Sequence, residues 1–313
     1  MQNLLIVATQ VGVLFALMAV GCVCRIGGLI GKVAVKGIVN ILFFLVTPCL
    51  VIHAFQRPFE PSQLRNLWVA TLIVLGFHLL LVAIAKACFW RAAESRRCVL
   101  QVAAVFSNAG FMGIPLEMAL FGADGVFYGV TYVAVFNVIM WSWGYCTMRG
   151  KAEKLQFKDM LSIGINPGTV GIFFGIPLFA TSTVLPQVLA APVKMLADLN
   201  TPLAMIVIGY YLAGAHFGAV LRSFAAYAVG VLRLVVSPLL LLAALYPFRH
   251  SIDRVMALSL ITAAAAPVAA MVSMFASKYR RDVDLSVGLV SGTTILSIVS
   301  MPPVIVLAME LIK

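Results

Sequence analysis

The chain is predicted to be an all-α integral membrane protein. Ten transmembrane helices are expected as two inverted five-helix repeats, in which helices four and nine are broken and cross. Three observations carry that expectation. Of 313 residues, 63% are hydrophobic and 11% charged, and the mean hydropathy is +1.07, which is too apolar for a water-soluble domain. The apolar runs have helical length, with little of the two-residue alternation that a membrane β-barrel requires. Glycine and proline also interrupt the apolar runs in corresponding places of the two halves.

Ten segments follow in order: 3–24, 31–55, 67–89, 98–121, 125–147, 164–183, 190–213, 222–246, 253–277 and 285–311. The first lacks a basic leader and reads as a helix rather than a signal peptide. The second carries Thr47-Pro48-Cys49-Leu50 and the seventh Thr201-Pro202-Leu203-Ala204, 154 residues later. The fourth holds Ser107-Asn108-Ala109-Gly110-Phe111-Met112-Gly113-Ile114-Pro115. Pro115 removes a backbone donor, while Gly110 and Gly113 permit dihedrals that other residues resist, so two half-helices are expected there. Pro267 lies 152 residues after Pro115, and the ninth segment is expected to break at Ala263-Ala264-Ala265-Ala266-Pro267. The small residues before Pro267 permit close helix approach at a crossing. Five helices per half is an odd number, so the second half enters from the opposite side. Residues 1–147 are thus read as the first repeat, 148–163 as a cytoplasmic linker and 164–313 as the second repeat of a single membrane domain.

Charge fixes an expected orientation. Of the 22 Lys and Arg residues, 15 fall in the loops after segments one, three, five, seven and nine, and 6 on the opposite side. That bias predicts a multi-pass protein of the cell (inner) membrane with both termini outside and the 148–160 loop in the cytoplasm. The net charge of +11 is therefore a topology signal and not a nucleic-acid footprint. The six cysteines, Cys22 to Cys146, all lie in the first half in or beside membrane segments, with no disulfide or metal framework. No cofactor is implied. The spans hold no His-Glu-x-x-His pair, no Gly-x-Ser-x-Gly elbow and no paired aspartates, which argues against an intramembrane enzyme.

Unwound backbone at membrane depth survives where it faces protein or a watery cavity, and half-helix N-termini there favour an anion. The candidate substrate site is accordingly Asn108, Gly110, Gly113, Pro115 and Pro267. The Asn108 amide offers two donors and an acceptor to a carboxylate. Glu117 is expected to cap the new half-helix, with proton coupling as the alternative. Arg233 stands alone inside segment eight, where a charge costs about 2.5 to 3.5 kcal/mol on insertion scales. It is expected to pair with Asp198 or with helix carbonyls, substrate attraction being the alternative. His53 and, less so, His78 could titrate near neutrality. Asp198 could hold Na+ or a proton. Thr293, Thr294 and Ser297 are expected to bond their own helix carbonyls.

Residues 108–122 (Asn-Ala-Gly-Phe-Met-Gly-Ile-Pro-Leu-Glu-Met-Ala-Leu-Phe-Gly), Asn40 with Pro48 and His53, Asn166-Pro167, and Pro267 followed by Lys278-Tyr279 resemble the auxin efflux carrier family. Its members include plant auxin exporters and bacterial carriers described as malate, malonate or oxalate permeases. The resemblance covers nearly the whole chain. It implies ten helices in two inverted repeats, often a homodimer through the scaffold helices. It also implies alternating access, with segments three to five and eight to ten moving against the rest. Asn108 matches the asparagine that holds the substrate carboxylate, and Asn137 stands where the family has a glutamine. The short central loop favours a small organic anion over auxin. An H+ or Na+ co-substrate is open, and a carboxylate-binding sensor that does not transport is the alternative function.

Overall fold

The computed structural model describes residues 2–150, 167–215 and 223–312, and all regular structure among them is helical. Among the described residues seven helices are long and apolar enough to cross a membrane: Leu4–Ile26, Lys32–Phe55, Pro61–Phe89, Ala109–Arg149, Gln187–Leu212, Phe224–Phe248 and Val283–Leu311. Arg254–Ala265 is a shorter apolar helix. Most of the expected 148–163 linker lies outside the described residues, as do Asn166 and Arg222.

In chain order the α-helices are α1 Gln2–Ile26, α2 Lys32–Ile41, α3 Thr47–Phe55, α4 Pro61–Phe89, α5 Glu94–Val105, α6 Ile114–Ile139, α7 Tyr145–Arg149 and α8 Pro167–Ala180. They continue as α9 Gln187–Asp198, α10 Asn200–Leu212, α11 Phe224–Val231, α12 Ser237–Leu245, α13 Arg254–Ala265, α14 Met271–Lys278 and α15 Val283–Leu311.

Three junctions share one cause. The π-helical turns Leu42–Val46, Ala109–Gly113 and Leu232–Val236 each end two residues before a proline, namely Pro48, Pro115 and Pro238. A proline inside a helix has no amide to donate, and its ring clashes with the carbonyl four residues back. A locally widened turn accommodates both defects without ending the helix. Amides donating five residues back, from Thr47 to Leu42, Ile114 to Ala109 and Ser237 to Leu232, mark the widening. Pro115 therefore perturbs its helix but does not break it, contrary to the sequence expectation. The true interruption lies earlier, at residues 106–108.

Segments four and five are joined without a loop. Gly122, at φ 64° and ψ −149°, supplies a left-handed φ that a side chain resists. A Cβ on Gly125 would meet the carbonyl of Glu117, and one on Gly129 would overlap the Glu117 carboxyl. The chain thus doubles back at Gly122, and glycines let its two arms touch.

Elsewhere close packing also depends on glycine. α1 lies along α10, and a Cβ on Gly21 would overlap the Ile206 backbone while one on Gly209 would overlap that of Met18. Lipid offers no hydrophobic drive between helices, so such contact rests on van der Waals fit. Replacement Gly209→Ala is predicted to cost about 1–3 kcal/mol through overpacking. Gly12→Ala, where nothing lies within 4 Å of the added carbon, is predicted to stay within about 0.5 kcal/mol. Thermal unfolding of the purified variants in detergent checks the contrast.

Candidate functional site

Two helix breaks meet in the interior. After α5 the chain becomes extended at Phe106 (φ −102°, ψ 118°), and after α13 at Ala266 (φ −61°, ψ 149°), the conformation that a following proline favours. The two extended pieces pair antiparallel at Ser107 and Val268. The Asn108 amide donates to the Pro267 carbonyl at 2.6 Å, and the Ala269 amide to the Phe106 carbonyl at 3.0 Å. The Val268 amide donates to Thr293 Oγ1 at 3.1 Å. Each break therefore supplies the partners that the other lacks, as buried backbone requires.

The carbonyl ends of both broken helices converge on Arg233, which is fully buried. Its guanidinium donates to the carbonyls of Val105 at 2.8 Å and Ala264 at 2.5 Å, and to Ser237 Oγ at 2.6 Å. A cation there complements two negative dipole ends at once. Of the two pairings expected for Arg233, the structure has the helix carbonyls. Asp198 instead forms an exposed ion pair with Lys194 at 2.7 Å.

The amino ends of the onward helices face a cavity of about 310 Å³. Asn108 precedes the turn that feeds α6, and Ala270 precedes α14; both line the cavity. The first-turn amides of a helix have no intrahelical partner, so two positive ends point to one space. Polar side chains reach it from four more places: Asn40 on α2, Thr47 on α3, Asn137 on α6 and Asn200 on α10. The walls are aromatic, with Phe43 and Phe111 edge to face at 5.0 Å and Phe136 and Trp141 also lining it. Among the described residues no Lys, Arg, Asp, Glu or His lines it.

Of the residues expected at the site, Asn108, Gly110 and Asn137 line the cavity. Gly113 and Pro115 do not. Gly113 instead lets α13 approach, since a Cβ there would stand 3.3 Å from the Ala263 Cα. Pro267 contributes its carbonyl to the crossover, so the two prolines, although 152 residues apart, hold different places: one in the break, the other beyond it.

Glu117 does not cap its helix, because both carboxyl oxygens are buried without a hydrogen-bond partner. His53 lies off the cavity, within electrostatic reach of Lys194, Asp198 and Arg57. His78 is buried, its Nδ1 2.9 Å from the Val74 carbonyl. Thr293, Thr294 and Ser297 bond carbonyls of their own helix at 2.7, 2.7 and 2.6 Å. Asn200, 3% exposed with a partnerless Nδ2, is a lining residue that sequence reasoning missed. Its only signal is an amide placed immediately before Thr201-Pro202 in an apolar run.

Membrane-crossing helices built around a paired break, with a solute-sized, largely aromatic cavity carrying a few side-chain amides beside it, define a membrane transporter. A family model described as Membrane transport protein matches residues 6–160 and 154–305, so the chain belongs to that family, the auxin efflux carriers. It is a transporter and not an enzyme. Over 299 residues, 91% of this chain and 93% of the relative, it is 26% identical to a protein of Methanothermobacter thermautotrophicus named an uncharacterized transporter.

Arg233→Met is predicted to leave the Val105 and Ala264 carbonyls unsatisfied, at about 1–3 kcal/mol each. The expected outcome is a lowered unfolding temperature in detergent that added substrate only partly restores.

Proposed function

We propose that this protein is a carrier for small organic anions, carboxylates of the malate, malonate or oxalate type, and that it works by alternating access. The carrying observation is the pair of helix amino ends facing one cavity whose carbonyl counterparts are already neutralised by Arg233. A carboxylate bound there would accept from the Asn108 amide group and from backbone amides at both half-helix starts. Asn137 and Asn200 would orient its remaining polar groups. A lining without a charged side chain among the described residues suits a carrier, since binding through dipoles permits release.

The mutual pairing of two interrupted helices supports the reading of ten helices as two inverted repeats. In that reading segments three to five and eight to ten move together against the rest, and the protein is a homodimer through the scaffold helices. The lysine and arginine bias supports both termini outside. Moving one anionic charge across about 100 mV is worth about 2.3 kcal/mol, so a negative interior favours export unless a cation travels with the substrate.

Uptake of radiolabelled malate, malonate and oxalate into proteoliposomes tests the proposal. Wild type is expected to show saturable uptake. Asn108→Ala is expected to lose roughly ten- to hundredfold in kcat/KM, the worth of about 1.5–3 kcal/mol of charge-assisted hydrogen bonding. Asn200→Ala is expected to lose less. Uptake by Asn108→Ala equal to wild type would contradict the assignment, and saturable binding without uptake would favour a sensor.

A further inference from the structure

The crossover leaves one acidic side chain unused. Glu117 lies one turn beyond Ile114, a cavity-lining residue, and is fully buried. α6 and α13 pack together with the start of one against the end of the other, Gly113 facing Ala263. One turn onward from Gly113 is Glu117, and one turn back from Ala263 is Ser259. Ser259 Oγ and Thr262 Oγ1 are, like both Glu117 carboxyl oxygens, buried and without a partner. The returning arm of α6 closes the space, with Gly129 directly against the carboxyl.

Among the described residues no ion pair neutralises the group. From α3, His53 faces Lys194, Asp198 and Arg57, and Arg57 is itself bound to Asp124 at 2.6 Å. From α4, His78 stacks 5.1 Å from the Tyr132 ring. On α6 itself, the Tyr132 hydroxyl lies 3.3 Å from Ser107 Oγ and within electrostatic reach of both Glu117 and Arg233. Arg233 is committed to helix carbonyls. On α13, Arg254 donates to the Ile312 and Met309 carbonyls. On α1, Arg25 donates to the Tyr210 carbonyl. α8 and the turn Met140–Gly144 carry no titratable side chain.

An ionised carboxylate among these groups would be an isolated buried charge, which the neutral acid avoids, and the register of α6 on α13 puts the unpartnered Ser259 hydroxyl on the facing turn. We infer that Glu117 is the proton-carrying site of the transport cycle. The carboxylate takes up one proton from water and holds it while α6 and α13 are packed as here. It releases that proton to water on the other side when the two helices separate. The proton thereby favours one arrangement of the crossover over the other, which is the requirement for coupling. This inference rests on the carboxylate-carrier reading for its role in transport, though not for the existence of the site. A proton accompanying a monoanion makes inward movement electrically neutral.

Two measurements on the full-length protein test it separately. Infrared difference spectra of wild type against Glu117→Gln, in lipid at neutral pH without substrate, are expected to show loss of one protonated-carboxyl carbonyl stretch. Ser259→Ala is expected to shift that band without removing it. If Glu117→Gln removes no such band, or if Ser259→Ala leaves it unmoved, the site is refuted, whatever the protein transports. In proteoliposomes loaded with a pH-sensitive dye, wild type is expected to move protons with added malate. Glu117→Gln is expected to keep malate counterflow within about twofold while losing proton movement and accumulation driven by a pH gradient. Retained proton-driven accumulation in Glu117→Gln would overturn the coupling role. Absence of carboxylate counterflow from wild type would instead overturn the carrier reading, and with it the coupling role, leaving the infrared result to decide the proton site.

Discussion

The organising constraint is the need to satisfy backbone polar groups freed by two helix breaks inside an apolar protein. In hydrocarbon each orphaned amide or carbonyl costs several kcal/mol. The chain meets this by making the breaks partners. Asn108 and Ala269 donate across to Pro267 and Phe106, Thr293 receives the Val268 amide, and Arg233 gathers the last carbonyls of α5 and α13. Removing any one of these leaves its own partner unsatisfied in the interior. The helices around the crossover, drawn close by glycines at 113, 125 and 129, serve to keep that pairing dry and in register.

Once the carbonyl ends are neutralised, the chemistry of the opposite ends follows. The amino ends retain their partial positive charge and open onto a space whose polar side chains are four asparagine amides, the hydroxyls of Thr47 and Ser107 and the Trp141 indole, set among aromatic rings. Such a site suits a small, negatively charged solute. The buried carboxyl of Glu117 one turn away gives the same crossover a means to sense protons. The solute and the proton thus act on neighbouring turns of one broken helix.

Much of this was legible in the sequence, because composition, segment length and glycine or proline at mid-span report on local backbone physics. The interruption of the fourth and ninth segments and the exposure of Asn108 to a cavity follow from such local cues. Where the reading went astray, tertiary contact decided. Pro115 was expected at the break, yet a widened turn absorbs it and the chain parts at residues 106–108. Glu117 was expected as a cap, but the doubling back at Gly122 encloses it instead. Asp198 was one of two partners weighed for Arg233, and its own helix supplies Lys194 four residues earlier. Asn200 gave only its place before Thr201-Pro202 as a signal, since its role depends on α10 lying beside the crossover turn.

The central claim is that the cavity beside the paired breaks holds the transported anion. Trp141 lines that cavity and reports on it if Trp68, Trp90 and Trp143 are replaced by phenylalanine. Titration of malate into this single-tryptophan protein is predicted to give a saturable fluorescence change that Asn108→Ala removes. A change that survives Asn108→Ala undiminished, or no saturable change with any small carboxylate, would contradict the account.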